Sequence, residues 1–244
     1  MEIPLEKTQQ HFRGIDALRG TAVLGMIIFH FFFILDFLDV LNQQMYGGGW
    51  LILARFVQFA FLGLVGVSLA LSKKDSNEQF FRGIKILGLG LLVTLTTYIF
   101  IPGHFVLFGI LHLIGTCIIV LTPLRKHPYI ALAFGICIIV LSKYITTLRI
   151  DFEPFYILGL QTPVTVSAID YFPIFPWIGV VLLGVFVGCF LKNKMPGQPT
   201  AMSKYFKPLL FLGRRSLLIY MIHVPLIIAI LILTNVLELG QITP

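Results

Sequence analysis

The chain alternates long apolar runs with short polar connections. Runs of mostly apolar residues occur at 17–38, 50–72, 84–101, 105–122, 128–147, 171–191 and 209–236. At the rise of an α-helix, each is long enough to cross roughly 30 Å of hydrocarbon. The breaks between them carry turn chemistry. Gly47-Gly48-Gly49 precedes the second run, Pro102-Gly103 separates the third from the fourth, and Pro123 and Pro128 bracket the next connection. Met195-Pro196-Gly197-Gln198-Pro199 marks a loop before the last run. The pattern predicts an all-α polytopic membrane protein, a bundle of seven transmembrane helices forming a single domain over residues 1–244. The first run is too long for a secretory leader, lacks a small-residue cleavage site and opens with Asp16 and Arg19, so it reads as a retained span.

Charge then orients the bundle. Of the 18 basic residues, 14 fall on alternate connections: Lys7 and Arg13; Lys73, Lys74, Arg82 and Lys85; Arg125 and Lys126; and Lys192, Lys194, Lys204, Lys207, Arg214 and Arg215. The opposite connections hold only Lys143 and Arg149. Basic residues gather on the cytoplasmic face, so the N-terminus is expected in the cytoplasm and the C-terminus outside a cell (plasma) membrane. The net charge of +7 is thus a topology signal, and nucleic acid is not an expected partner.

Composition agrees. With 57% apolar and 12% charged residues, the chain is far from the ~25% charged content of soluble domains, and disorder and coiled coil are excluded with them. Cys117, Cys137 and Cys189 all lie in apolar runs and have neither disulfide nor zinc spacing, so they read as small buried hydrophobes.

Ionisable groups inside a bilayer are costly, which makes each a candidate for function. On the expected topology His30 lies roughly 20 Å from the cytoplasmic edge, and His112 and His223 roughly 10 Å from the external one. Three imidazoles on three helices are therefore expected in one layer of the outer half, with Arg55 opening the second helix and Asp170 the sixth. Imidazole exchanges a proton near neutral pH, and a carboxylate can orient it, so His30, His112, His223 and Asp170 are the catalytic candidates. The plain alternative is that each histidine only hydrogen-bonds a neighbouring helix. No His-x-x-x-His or Glu-x-x-His pair occurs, and no metal is expected.

Arg19 and His30 share a face of the first helix, eleven residues or ~16 Å apart. An anion could sit at the lower end and a base at the upper, a shape suited to acyl-coenzyme A with its phosphates and thioester at opposite ends. Arg19 could equally snorkel to the interface. On the last run Ser216, Tyr220 and His223 recur at i, i+4 and i+7, behind Arg214 and Arg215. Arg19, Arg215 and Ser216 are the cofactor-binding candidates, and Arg55 and Tyr220 the substrate-binding ones. Headgroup anchoring is the alternative for the arginine pair.

Five segments also carry a resemblance: GIDALRG at 14–20 running to His30, FLGLVGVSLALS at 61–72, FGILHLIG at 108–115, DYFPIFPW at 170–177 and LGRRSLLIYMIHVPL at 212–226. Together they resemble the heparan-alpha-glucosaminide N-acetyltransferase catalytic-domain family, in its short prokaryotic branch, over nearly the whole chain. The Arg19–His30 spacing is similar to that of wider membrane acyltransferase families that acylate cell-surface glycans. The resemblance implies transfer of an acyl group, acetyl first of all, from cytoplasmic acyl-CoA to a glycan or amino-sugar acceptor on the far side of the bilayer. In the lysosomal branch that acceptor is a terminal glucosamine. This chain has fewer spans than that branch, and residues 36–49 lack the histidine that branch carries after its first helix, so the base role passes to His30.

The expected function is therefore a membrane O- or N-acyltransferase using acetyl-CoA or another acyl-CoA as co-substrate. His30 would act as base, His112 or His223 would stabilise the oxyanion or carry the acyl group, and Asp170 would orient an imidazole. The alternative is a transporter or exporter with a histidine proton relay, and a third reading is an inactive scaffold. A homodimer is left open.

Overall fold

The computed structural model describes residues 13–101, 103–164, 169–194, 206–234 and 236. Pro102, the connection at 195–199, Lys7 and Lys204 lie outside the described residues. The described chain is helical: α1 (Arg13–Phe37), α2 (Gly48–Leu71), α3 (Ser76–Phe100), α4 (Ile110–Leu121), α5 (Pro128–Ile145), α6 (Ile174–Lys194), α7 (Lys207–Arg214) and α8 (Ser216–Leu233). Two short 3-10 segments, Pro123–Lys126 and Glu153–Leu158, lie in connections.

Six of these helices, α1, α2, α3, α5, α6 and α8, are long and apolar enough to cross a membrane. Three expected spans differ. The third helix begins at Ser76, eight residues before the run at 84–101, because Asp75 and Glu78 cap it there. The fourth run is helical only over the 12 residues of α4, because residues 103–109 are non-helical. The seventh run is two helices, α7 and α8, divided at Arg215.

The chain divides into two compact units. The first holds residues 13–61 and 206–234: α1, α2 as far as Phe61, α7 and α8. Phe32 meets Trp50, and Gly25 faces Val57 and Leu53, so α2 runs antiparallel to α1. Ile34 and Leu35 pack with Ile227 and Leu231 one turn beyond His30 and His223, so α8 runs in the same direction as α1. Where α7 crosses α1 there is no room for side chains. A β-carbon on Gly20 would strike the Leu209 carbonyl, and one on Gly213 would strike the Asp16 carbonyl. Small residues let helix backbones approach like this where no hydrophobic force separates protein from lipid.

The second unit holds residues 62–194. Three glycine-lined seams build it. Gly63 and Gly66 of α2 lie against Gly184 and Val181 of α6, Gly83 of α3 against Gly115 of α4, and Gly135 of α5 against Gly179 of α6. The register makes α3 and α4 antiparallel, α5 and α6 antiparallel, and α2 and α6 parallel. Short as it is, α4 therefore reverses the chain direction as a full helix would. The non-helical stretch before it is satisfied by the last turns of α3: Thr97 Oγ1 accepts from Val106 N at 3.0 Å, and Thr94 Oγ1 donates to the Val106 carbonyl at 2.7 Å. Irregular backbone at such a position requires partners of this kind.

Candidate functional site

In the first unit, the α1–α7 crossing brings together two sequence segments from opposite ends of the chain. Asp16 is 6% exposed and accepts from Arg19 Nη1 and from Arg214 Nε, both at 3.3 Å. Arg215, at the α7–α8 break, places its guanidinium over the Phe211 ring, 5.0 Å from the centroid. Ser216 follows as the first residue of α8. One carboxylate thus engages two guanidiniums, while the third, Arg215, stands on a ring.

Farther along α1, His30 meets His223 of α8. Their ring centroids are 4.8 Å apart and the planes lie at 81°. His30 Nδ1 lies 2.9 Å from the Met26 carbonyl and His223 Nδ1 2.7 Å from the Tyr220 carbonyl. A carbonyl can only accept, so both Nδ1 atoms carry the hydrogen, and each neutral ring leaves a lone pair on Nε2. His223 is 5% exposed, and its Nε2 is buried with no hydrogen-bond partner among the described residues. This is the tautomer a general base requires, held by the backbone. The Tyr220 ring packs 5.5 Å from that of His223.

Arg55 does not open α2. The helix starts at Gly48, so Arg55 lies two turns inside it, exposed, donating to Gln58 Oε1 at 3.0 Å. The triple glycine, expected to stay in the connection, instead contributes Gly48 and Gly49 to the helix.

His112 and Asp170 belong to the second unit. His112 Nδ1 accepts from Gly109 N at 3.2 Å, and its Nε2 lies 3.4 Å from Thr94 Oγ1, whose own hydrogen goes to Val106. Nε2–H must then be the donor, so both ring nitrogens of neutral His112 are engaged. The ring fits because Gly90 has no side chain; a β-carbon there would press on it. Asp170 does not open α6 but lies in the connection before it, and its Oδ2 accepts from Ile110 N at 3.3 Å. It thereby covers the N-terminus of α4, where free N–H groups and the helix dipole favour a carboxylate. Gly109 permits the approach.

Two histidines of the expected layer, His30 and His223, are thus in direct contact, while His112 and Asp170 are held in the other unit with partners of their own. Sequence reasoning missed Thr94, Gly90 and the Asp16–Arg214 pair. Thr94 stands in a threonine-bearing stretch of an apolar run, the kind of polar residue that bonds across helices, and could have been flagged. The Asp16–Arg214 pair spans 198 residues and left no local signal. No group of three or more His, Cys, Asp or Glu side chains able to hold a metal occurs among the described residues.

Comparison with curated proteins and with solved structures finds no match. Comparison with protein families does: residues 12–225 match the family described as heparan-alpha-glucosaminide N-acetyltransferase, catalytic. That stretch begins just before α1 and ends two residues past His223, so it takes in both the arginine-bordered Asp16 and the histidine pair. The chain is accordingly a multi-pass membrane protein that belongs to the heparan-alpha-glucosaminide N-acetyltransferase catalytic family.

Proposed function

We propose that the protein is a cell-membrane acyltransferase that moves an acetyl group from cytoplasmic acetyl-CoA to a hydroxyl or amine of a sugar-type acceptor on the external side. The observation that carries this reading is the His30–His223 pair, two imidazoles in contact whose Nε2 lone pairs are left bare by Nδ1–H bonds to the backbone. His30 Nε2 takes the proton of the acceptor O–H or N–H as that atom attacks the thioester carbonyl. The tetrahedral intermediate collapses, the C–S bond breaks, and the departing thiolate recovers the proton from the imidazolium. Acetylated acceptor and free CoA result, and the proton count balances. His223, packed against His30, supports the charge that the base acquires, and Tyr220 borders the space beside it.

Arg19, Arg215 and Ser216 lie about seven to eleven residues back along α8 and α1, a rise of roughly 10–16 Å. We assign this end to the phosphates of the donor, with Arg215 and the start of α8 as primary contacts, since Asp16 already engages Arg19. Arg55 and Gln58 on α2 are assigned to the acceptor. His112 and Asp170 act through α4, fixing its N-terminus, rather than by proton transfer. Seven traverses, with the N-terminus inside and the C-terminus outside, follow if α4 and its approach count as one, and the parallel α2–α6 and α1–α8 pairs support that count.

The test is acetyl-CoA consumption by the purified protein in lipid, with an amino-sugar acceptor. The wild type is expected to release CoA, and His30→Ala to lose that release by a factor of about 10²–10⁴, the usual worth of a general base. Equal turnover in the two proteins removes His30 from the mechanism.

A further inference from the structure

At one end of the second unit, Arg125 is 8% exposed, yet no carboxylate pairs with it among the described residues. It lies in the 3-10 segment between α4 and α5, and its Nη1 donates to the Lys74 carbonyl at 2.7 Å. A guanidinium has five N–H donors in a rigid fork, and a buried charge without a counter-charge is costly. One carbonyl does not compensate it.

The surroundings add positive charge rather than removing it. Lys74 N donates to Ser72 Oγ, which also receives Gln79 Nε2, while Gln79 Oε1 receives Arg82 Nη1 at 3.4 Å. Gln79 is fully buried, so this chain of bonds fixes Arg82 relative to the Lys74 backbone and hence to Arg125. From the other side, the Cys189 thiol of α6 donates to the Arg125 carbonyl, which brings Lys192, one turn farther on, to the same end. The two nearby acids cap α3, and neither pairs with Arg125. Asp75 Oδ1 receives Glu78 N at 2.7 Å and Glu78 Oε2 receives Asp75 N at 2.9 Å, a reciprocal cap on α3. Lysines gathered at an inner face need only reflect topology, but a sunken, carboxylate-free arginine beneath them is a different feature.

We propose that this end of the second unit is a phosphate-binding site, with Arg125 as its floor and Arg82, Lys74 and Lys192 at its rim. A phosphate supplies the missing counter-charge and the paired oxygens that a guanidinium fork matches. A lipid headgroup and a soluble phosphate ester present the same chemistry to this site. The proposal does not depend on the acyltransferase reading.

The full-length protein, purified in detergent, is exposed to phosphatidylglycerol, to phosphatidylcholine and to inorganic pyrophosphate. Retained lipid is read by native mass spectrometry and pyrophosphate binding by titration. The wild type is expected to retain phosphatidylglycerol over phosphatidylcholine, or to bind pyrophosphate saturably, and the arm that responds identifies the source. Binding should weaken about tenfold or more in Arg125→Gln, the loss expected when one charge-assisted bond goes, and be intact in Lys143→Gln in the last turn of α5. Should Arg125→Gln fail to fold, Arg82→Gln with Lys192→Gln on the rim carries the same expectation. Wild-type protein indifferent to both probes, or binding unchanged in the floor and rim variants, overturns the proposal. Because the readout is binding, failure here is distinct from absent acetyl transfer.

Discussion

The carbonyl of Asp16 occupies the space that a β-carbon on Gly213 would need. Gly20 stands in the same relation to the Leu209 carbonyl, so the α1–α7 crossing is made of backbone against backbone. It is this closeness that lets Arg214 reach Asp16.

Gly213→Ala should therefore separate the two helices. Overpacking of a rigid contact costs about 1–3 kcal/mol, and the obstruction here is backbone, which cannot swing aside. Thermal denaturation in detergent should show the loss, while Gly14→Ala, with nothing within 4 Å of the added carbon, should be neutral or slightly stabilising.

His223 offers a separation of stability from activity. Its Nε2 is buried without a partner, and such an atom costs about 1–3 kcal/mol. His223→Leu should hold or raise the melting temperature and still lower acetyl transfer. A variant that is both less stable and fully active would contradict the role given to the pair.

The opposite outcome is expected at His112. Both its nitrogens are bonded, so His112→Ala strands the Gly109 N–H and unloads Thr94, at a cost of about 1–3 kcal/mol. Thr94→Val should mimic part of that loss, since it also leaves the Val106 carbonyl without its hydroxyl donor. Gly90→Ala should press on the imidazole and destabilise as well. Denaturation midpoints of the three variants should fall together.

Asp16→Asn removes the charge between Arg19 and Arg214. Fully buried pairs cost about 3–5 kcal/mol to break, but the Arg214 side chain is 46% exposed, so about 1–3 kcal/mol is expected. If the arginines hold the donor's phosphates, the KM for acetyl-CoA should fall, because Arg19 and Arg214 are released toward the anion. A rise in KM would argue that Asp16 orients Arg19 rather than competing with the donor.

Helix content and the approximate lengths of α1, α2, α5 and α6 were legible in the sequence, because apolar runs between turn residues leave the backbone few other ways to satisfy its hydrogen bonds in lipid, whereas α3 starts eight residues before the expected run, at a polar cap formed by Asp75 and Glu78. The break at Arg215 was not, since Gly213, Arg214 and Arg215 sit in a run whose mean character stays apolar. Nor was the short α4. Its missing first turns are replaced by side-chain bonds from Thr94 and Thr97, which hydropathy does not register. His30 and His223 could be named as candidates from depth alone, but depth treats all imidazoles alike.

By itself the sequence determined the membrane class, the approximate spans and the family, since these depend on composition, period and motif order along one dimension. Only the tertiary structure decided which polar groups are spent and which are bare. It engages both nitrogens of His112, leaves Nε2 of His223 without a partner and sets Arg214 against Asp16, because a hydrogen bond is settled by ångström-scale geometry between residues that no local pattern relates.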